Sequence, residues 1–298
     1  MTGNSNLPSL TIGVPAFNEE ANIVASIDGA LEQKGISVEQ IIIISDGSND
    51  DTEELIENYP DDRVRLVRHR DRRGKSARLN EILALAKSTI LVLMDADVQL
   101  ETNHTLAALI QPIVEGEASL ACGRPVQRRT FKFFDNVMRV SQILQEEIKA
   151  KLHRGHSVYA CHGRLLALHR DVYSKLVLPE SAVADDAFIY FSNEATGHGF
   201  KYVPQATVAF RMPQNPGDFI KQQRRFAHTE SEQKRVFGEE EVAAAYAIPP
   251  RLKLAAMLKA AHKLPLHLLA YLLLRLASVL YPNSDRSAWK VSASTKKI

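Results

Sequence analysis

Asp95 and Asp97 stand one residue apart at the end of the run LVLMDADVQL, residues 91–100. Leu91, Val92, Leu93 and Met94 have the continuous apolar character of a strand covered on both faces, where charge is disfavoured. In an extended strand alternate residues share a face, so the two carboxylates can turn toward one point while Ala96 faces away. Such a pair at the carboxyl edge of a parallel sheet is a hard-oxygen site for Mg²⁺ or Mn²⁺, above all when a diphosphate completes the coordination. The other reading of the same residues is a solvated turn after a strand, since Asp is common in turns.

The elements that must hold this pair read as βαβ units. SLTIGV, QIIIIS, RVRLV and TILVLM have strand character, and EEANIVASIDGALEQ, DTEELIENY and GKSARLNEILALAK carry the helical period between them. That alternation predicts an α/β fold with a parallel sheet, whose ligands bind outside the carboxyl ends of the strands. Four loops fall on that edge: PAFNEE, DGSNDDT, RHRDRRGKS and DADVQ. The first has no glycine after Gly13 to let a pyrophosphate approach, which argues against a dinucleotide cofactor; Glu19 and Glu20 within it also suit a helix N-terminus. In the second, Asp46 can accept hydrogen bonds from a base or ribose, and the same loop can be a capped turn leading into a helix. In the third, Gly74 allows a tight turn, and Arg73 and Lys75 bring positive charge to a helix N-terminus, a setting that favours phosphate.

VPAFNEE, SDGSNDDT, GKSARLN and LMDADV, in that order and spacing, resemble the nucleotide-sugar half of family 2 glycosyltransferases. VADDAFI is similar to that family's ED motif and QQRRF, residues 222–226, to its QxxRW motif, so the likeness runs from about residue 9 to 230. It implies the GT-A fold, with a mostly parallel central sheet flanked by helices. By the same likeness Pro15, Phe17, Glu19 and Asp46 contact the nucleoside, with Asp46 on the base, and Lys75 lies near the nucleotide. Asp95 holds ribose or metal, and Asp97 is the ligand of an Mg²⁺ or Mn²⁺ that bridges the diphosphate. Asp186 is the implied general base, beside Asp185, while Gln222, Arg225 and Phe226 border the acceptor and the diphosphate. Three positions depart from the family pattern: Asp185 replaces Glu, Arg78 stands where a small residue is usual, and Phe226 replaces Trp. Read without the likeness, Asp185 and Asp186 are a helix N-cap pair before AFIYF.

With 298 residues, 45% hydrophobic and 24% charged, the chain is in the globular range. Cys122 and Cys161 are too few for a disulfide framework, Cys161 reads as a small buried residue, and MTGNSNLPSLTIGVP lacks a basic start and an apolar targeting core. His156, His162 and His169 match no familiar ligand spacing, so no zinc is assigned. Farther on, FKFFDNVMRVSQILQEEIKAKLH predicts one long helix and DFIKQQRRFAHTESEQKRVF another.

Pro249 and Pro250 mark the one clear boundary, dividing residues 1–248, the catalytic domain, from residues 249–298. The latter hold nine Lys/Arg against one acid, so they carry +8 within a net +2 and leave −6 on the body. On a helical wheel Leu254, Met257, Leu258, Ala261 and Leu264 share one side, and Arg251, Lys259, His262 and Lys263 the other. A basic amphipathic helix of this kind is suited to an anionic bilayer surface rather than to nucleic acid; packing on the catalytic domain is the alternative. The next stretch, residues 264–281, is apolar except for a stripe of His267, Tyr271, Arg275 and Ser278. Eighteen residues with a central Arg make a poor span, so the expectation is a helix in the cytoplasmic leaflet or one whose polar stripe meets a partner helix.

The expected protein is therefore a membrane-associated, inverting, metal-dependent glycosyltransferase that takes a nucleotide sugar, expected to be a UDP-sugar, to a lipid or lipid-linked acceptor at the cytoplasmic membrane face. The alternatives are the catalytic subunit of a polysaccharide synthase working with a channel-forming membrane partner, and a non-catalytic membrane adaptor of the same fold. A sugar-phosphate nucleotidyltransferase would want a Gly-rich basic loop after the first strand, and VPAFNEE is neither.

Overall fold

The aliphatic runs of the first hundred residues form β1 (Ser9–Ala16), β2 (Ser37–Asp46), β3 (Val64–His69) and β4 (Ile90–Met94) in a computed structural model that describes residues 7–128, 132–180, 184–227 and 229–280. Between them run α1 (Ile23–Leu31), α2 (Thr52–Glu57) and α3 (Lys75–Leu85), and the four strands pair in parallel, as the βαβ pattern predicts. Their continuous apolar character follows from coverage on both faces. Along β2, Ile41 and Ile43 enter one hydrophobic cluster and Ile42 and Ile44 the other, all with no exposure.

The chain then adds β5 (Val98–Leu100), α4 (Thr105–Val114), β6 (Leu120–Gln127), α5 (Phe133–Lys151), β7 (Leu165–His169), α6 (Arg170–Tyr173), α7 (Asp185–Ala195) and β8 (Phe200–Phe210). The eight strands lie in the order β3-β2-β1-β4-β7-β6-β8-β5. β7 is antiparallel to both β4 and β6, β5 is antiparallel to β8, and β6 and β8 are parallel, so the sheet is mixed with a parallel majority. Inserting β7 beside β4 has a local consequence: the residues that lead into β7 arrive next to the residues that leave β4.

The last elements are α8 (Pro216–Phe226), α9 (Thr229–Phe237), α10 (Glu239–Tyr246), α11 (Pro250–Lys263) and α12 (Pro265–Leu280). The single helix expected over DFIKQQRRFAHTESEQKRVF is two, because α8 closes at its C-cap Ala227. Asn215 starts α8 by accepting a hydrogen bond from the Asp218 amide.

α11 and α12 both pack against α5, and Ala260, Leu268 and Tyr271 join the same hydrophobic cluster as the sheet. The buried edge of α11 is Ala256 and Ala260, with Met257, Ala261 and Leu264 beside it. Leu254 and Leu258, grouped with them on the wheel, are 60% and 62% exposed, because two helix backbones approach most closely over alanine. Lys259, placed on the basic face, pairs with Glu147 of α5 at 2.5 Å. α12 buries Tyr271 and Ser278 of its polar stripe, while Arg275 stays exposed. His267 stacks near Phe133, Tyr271 lies edge-on to Phe219, and Arg275 donates to Gln223. Leu266, Leu269, Leu272, Leu273 and Leu276 are left on the outside. Among the described residues no helix is long and apolar enough to cross a membrane. Arg286, Lys290, Lys296 and Lys297 lie outside the described residues.

Candidate active site

β4 ends at Met94, and Asp95, Ala96 and Asp97 form the turn that leads into β5. Extended alternation is therefore not what brings the two carboxylates together, as the sequence led one to expect; a turn does. Both are half-buried with Ala96 buried between them. The turn is anchored by the neighbouring strand, since the Asp95 amide donates to the Arg164 carbonyl at 3.1 Å.

Lys75, the first residue of α3, places its ammonium 2.7 Å from Asp95 Oδ1 and 3.0 Å from Asp185 Oδ2. Burial opposes its charge, yet the fields of Asp185 and Asp95 more than offset this and hold Lys75 protonated well above its ordinary range. Gly163 makes room for the pair. A Cβ there would sit 3.0 Å from Lys75 Nζ and 3.2 Å from Asp185 Oδ2. Pro15, Lys75, Leu79, Asp95, Gly163 and Asp185 line one cleft at the carboxyl edge of β1 and β4.

Asp97 lies among other acids. Burial first, then Asp95 and Glu19, push its carboxyl up to about 7, against the weaker pull of Arg164 and Lys75. A carboxylate crowded by others is a place for a cation. Among the described residues no group of three or more potential ligands is assembled, so the chain offers two carboxylates rather than a closed cage. That donor set fits Mg²⁺ or Mn²⁺ completed by phosphate oxygens, which is how these hard ions are ordinarily held beside nucleotides.

Asp185 and Asp186 open α7, and their partners differ. Asp185 is the one pinned by Lys75, whereas Asp186 accepts the Gly163 amide at 3.1 Å on Oδ2 and the Ala187 amide at 2.8 Å on Oδ1. Burial, and then Asp185, raise the Asp186 carboxyl above its usual range. A raised carboxyl is a better proton acceptor at neutral pH. Gly163 and Arg164 are thus adjacent residues that hold the two halves of the site, one through Asp186 and the other through Asp95.

The remaining expected residues are placed around this centre. Glu19 is buried, accepts from the Asn22 side chain at 2.8 Å, and its carbonyl takes the first amides of α1. Phe17 lies under the Arg72 guanidinium at 3.8 Å. On α8, Gln222 is half-buried, Phe226 is 42% exposed, and Arg225 lies over the Phe226 ring at 4.8 Å. Burial lowers the Arg225 proton affinity, and the fields of Asp185 and Asp186 oppose this.

Asp46 is placed apart from the cleft, with no exposure. Its carboxylate accepts the Arg73 and Gly74 amides, each at 2.9 Å, and pairs with Arg78 Nε at 2.7 Å. Arg78, an oddity in the sequence, is also fully buried, and reaches Glu81 at 2.7 Å and the Asp71 carbonyl at 2.7 Å. In this arrangement Asp46 and Arg78 fix the loop that delivers Lys75, and Gly74, at φ +94°, supplies its left-handed bend. Arg78→Met would strand a buried carboxylate and is expected to cost about 3–5 kcal/mol. An unchanged urea midpoint would show that the pair holds nothing.

The three histidines serve separate places: His156 pairs with Glu194, His162 contacts the Gly123 carbonyl at 2.7 Å, and His169 caps α6. Arg164, whose carbonyl anchors the Asp95 amide, and Lys149, which feels the charge of Asp186, could not be read as neighbours of these residues from the sequence. Arg164 is half-buried before β7 and Lys149 is buried on α5, and no spacing links either to the strand-end loops.

The model of the glycosyl transferase family 2 matches residues 11–177. The chain is 34% identical over 91 residues to succinoglycan biosynthesis protein ExoO of Rhizobium meliloti, covering 30% of this chain and 26% of that protein. It is 25% identical over 127 residues to dolichyl-phosphate β-glucosyltransferase of Dictyostelium discoideum, covering 38% of this chain and 39% of that protein. The chain therefore spans well under half of the length of these curated relatives. Among solved structures, the mannosyltransferase PcManGT of Pyrobaculum calidifontis in complex with GDP-Man and Mn²⁺ superposes with a TM-score of 0.62 at 21% identity, over 93% of this chain and 82% of that one. That likeness shows the GT-A fold.

Proposed function

Because the chain belongs to glycosyl transferase family 2, we propose that it transfers a sugar, with inversion, from a nucleotide-sugar donor to a hydroxyl of a lipid-linked acceptor. The observation that carries this reading is the joint anchoring of Asp95 and Asp186 by the adjacent residues Arg164 and Gly163, which holds a phosphate-side carboxylate and a base to one short segment of chain. Asp186 takes the acceptor proton as the hydroxyl attacks, a contribution of about 10²- to 10⁴-fold. Attack opposite the leaving nucleotide inverts the anomeric carbon. Lys75 supplies positive charge toward the leaving diphosphate, Arg225 borders the acceptor, and Asp97, with Asp95, would hold Mg²⁺ or Mn²⁺. When bound, that ion neutralises charge growing on the diphosphate. The donor we favour is a UDP-sugar.

The cytoplasmic membrane face is the proposed setting, reached through α11 and α12. Support comes from the outward leucines of α12, with Arg251, Lys253 and Lys263 exposed on α11 nearby. Apolar side chains beside basic ones suit the headgroup boundary of an anionic leaflet. The same leucine face would serve a channel-forming partner.

The test is release of nucleoside diphosphate from a panel of nucleotide sugars, with phosphatidylglycerol-containing vesicles and a lipid extract. Expected is turnover of a UDP-sugar, stimulated by the lipid, and cosedimentation with the vesicles that is lost in the triple substitution L269S/L273S/L276S. No turnover of any nucleotide sugar would favour the non-catalytic adaptor. Vesicle binding that survives the serines would remove the leucine face from the proposal.

A further inference from the structure

Three cations from separate elements share one electrostatic neighbourhood: Arg164 repels both Lys149 and Arg225, and Asp186 attracts both. Lys149, in the last turn of α5, is only 6% exposed, and among the described residues it has no ion pair and no side-chain hydrogen bond. A buried lysine without a partner is rare, because its ammonium gives up water for nothing. Burial draws Lys149 down to about 8 and Arg164 adds to that, against the opposing pull of Cys122, Glu146 and Asp186. Arg164, ahead of β7, rests its guanidinium over the Phe210 ring at 3.9 Å. Arg225 feels the repulsion of Arg164 as Lys149 does, and its buried Nε has no hydrogen-bond partner.

None of the three is ion-paired among the described residues, whereas Lys75, Arg78 and Arg124 all are. Like charges held together in a partly dry place are destabilising until an anion joins them. Guanidinium and ammonium donors that converge without partners suit a phosphate or carboxylate. The carboxylates acting on Lys149 are Glu146 and Asp186, and Asp185 and Asp186 act on Arg225 ahead of Asp95, so these two cations lie toward the proton-accepting group, while Arg164 reaches Asp97 as well.

We propose that Lys149, Arg164 and Arg225 form an anion subsite for the acceptor, so that the molecule glycosylated here carries a phosphate or carboxylate near its reacting hydroxyl. This rests on the glycosyl-transfer reading above. The donor diphosphate is the other source of the same chemistry, and the test separates the two.

The full chain is titrated by calorimetry with glycerol 3-phosphate, and with glycerol, in the absence and in the presence of saturating UDP and Mn²⁺. Expected is binding of glycerol 3-phosphate in both conditions and none of glycerol, with Lys149→Met about tenfold weaker, near the loss of one charge-assisted contact, and Lys149→Arg close to the native affinity. Absence of binding to the native chain, equal binding by Lys149→Met, or failure of Lys149→Arg to restore it would each overturn the subsite. Displacement by UDP would assign the cations to the donor diphosphate and overturn it as well. A chain that binds glycerol 3-phosphate in this pattern but turns over no nucleotide sugar would refute the transfer reading while leaving the anion site standing.

Discussion

Asp186→Asn is expected to lower kcat for sugar transfer by about 10²- to 10⁴-fold, the range for loss of one positioned proton acceptor, with little change in the KM for donor. The two oxygens of Asp186 are occupied by the Gly163 and Ala187 amides at 3.1 and 2.8 Å, so the side chain is aimed before any substrate arrives. Asparagine keeps the shape and one acceptor oxygen but loses the proton affinity that burial and Asp185 have raised. Its twin should behave otherwise. Asp185 is tied to Lys75 at 3.0 Å, so Asp185→Asn removes one of the two ion pairs of that lysine rather than a base, and its main expected effect is on donor KM. Steady-state kinetics on both variants decides the matter: Asp186→Asn within tenfold of the native kcat would move the base elsewhere.

Asp97→Ala is expected to abolish Mn²⁺-dependent binding of nucleoside diphosphate and to reduce turnover by at least about 10²-fold, the scale for losing a main source of charge stabilisation. The carboxyl is pushed up to about 7 by burial, Asp95 and Glu19, so in the metal-free protein it is part-protonated near neutrality. A cation binds the deprotonated form and must displace that proton. The sign follows directly. Apparent Mn²⁺ affinity of the native chain rises as pH increases through about 7, and the rise is absent in the variant. Calorimetric titration of Mn²⁺ with UDP at several pH values reads both effects; undiminished affinity in Asp97→Ala would exclude it as the ligand.

Much of the site was legible because sequence order carries it directly. In a parallel sheet each strand delivers its C-terminal loop to one edge, so PAFNEE, RRGKS and DADV had to converge once their strands were read as strands. Pro15, Lys75 and Asp95 do line one cleft. The reason offered for the Asp95–Asp97 pair was nonetheless replaced: the chain has already left the strand, and a turn anchored by Arg164 orients them. Arg78 looked like a departure from its family and proved to be the buried partner of Asp46. Burial of that kind has no signature in composition, since the same Arg on a helix surface would look identical. The tail was half legible. Its helices and their boundary at Pro249 and Pro250 follow from period and proline, but which side of α11 packs was decided by the small radius of Ala256 and Ala260 against α5.

What the residues alone determined about this chain are properties set by neighbours in sequence: strand and helix periods, the parallel half of the sheet, the family, and the candidate carboxylates. Only the tertiary structure decided the properties set by residues distant in the chain. Gly163 and Arg164 lie nearly seventy residues beyond Asp95, yet because β7 enters the sheet antiparallel to β4 they tie Asp95 to Asp186. The electrostatic reach of Arg164 to Lys149 and Arg225 has the same origin. Period and spacing record contacts along one element, whereas charge and burial in a cleft are summed over every element that reaches it.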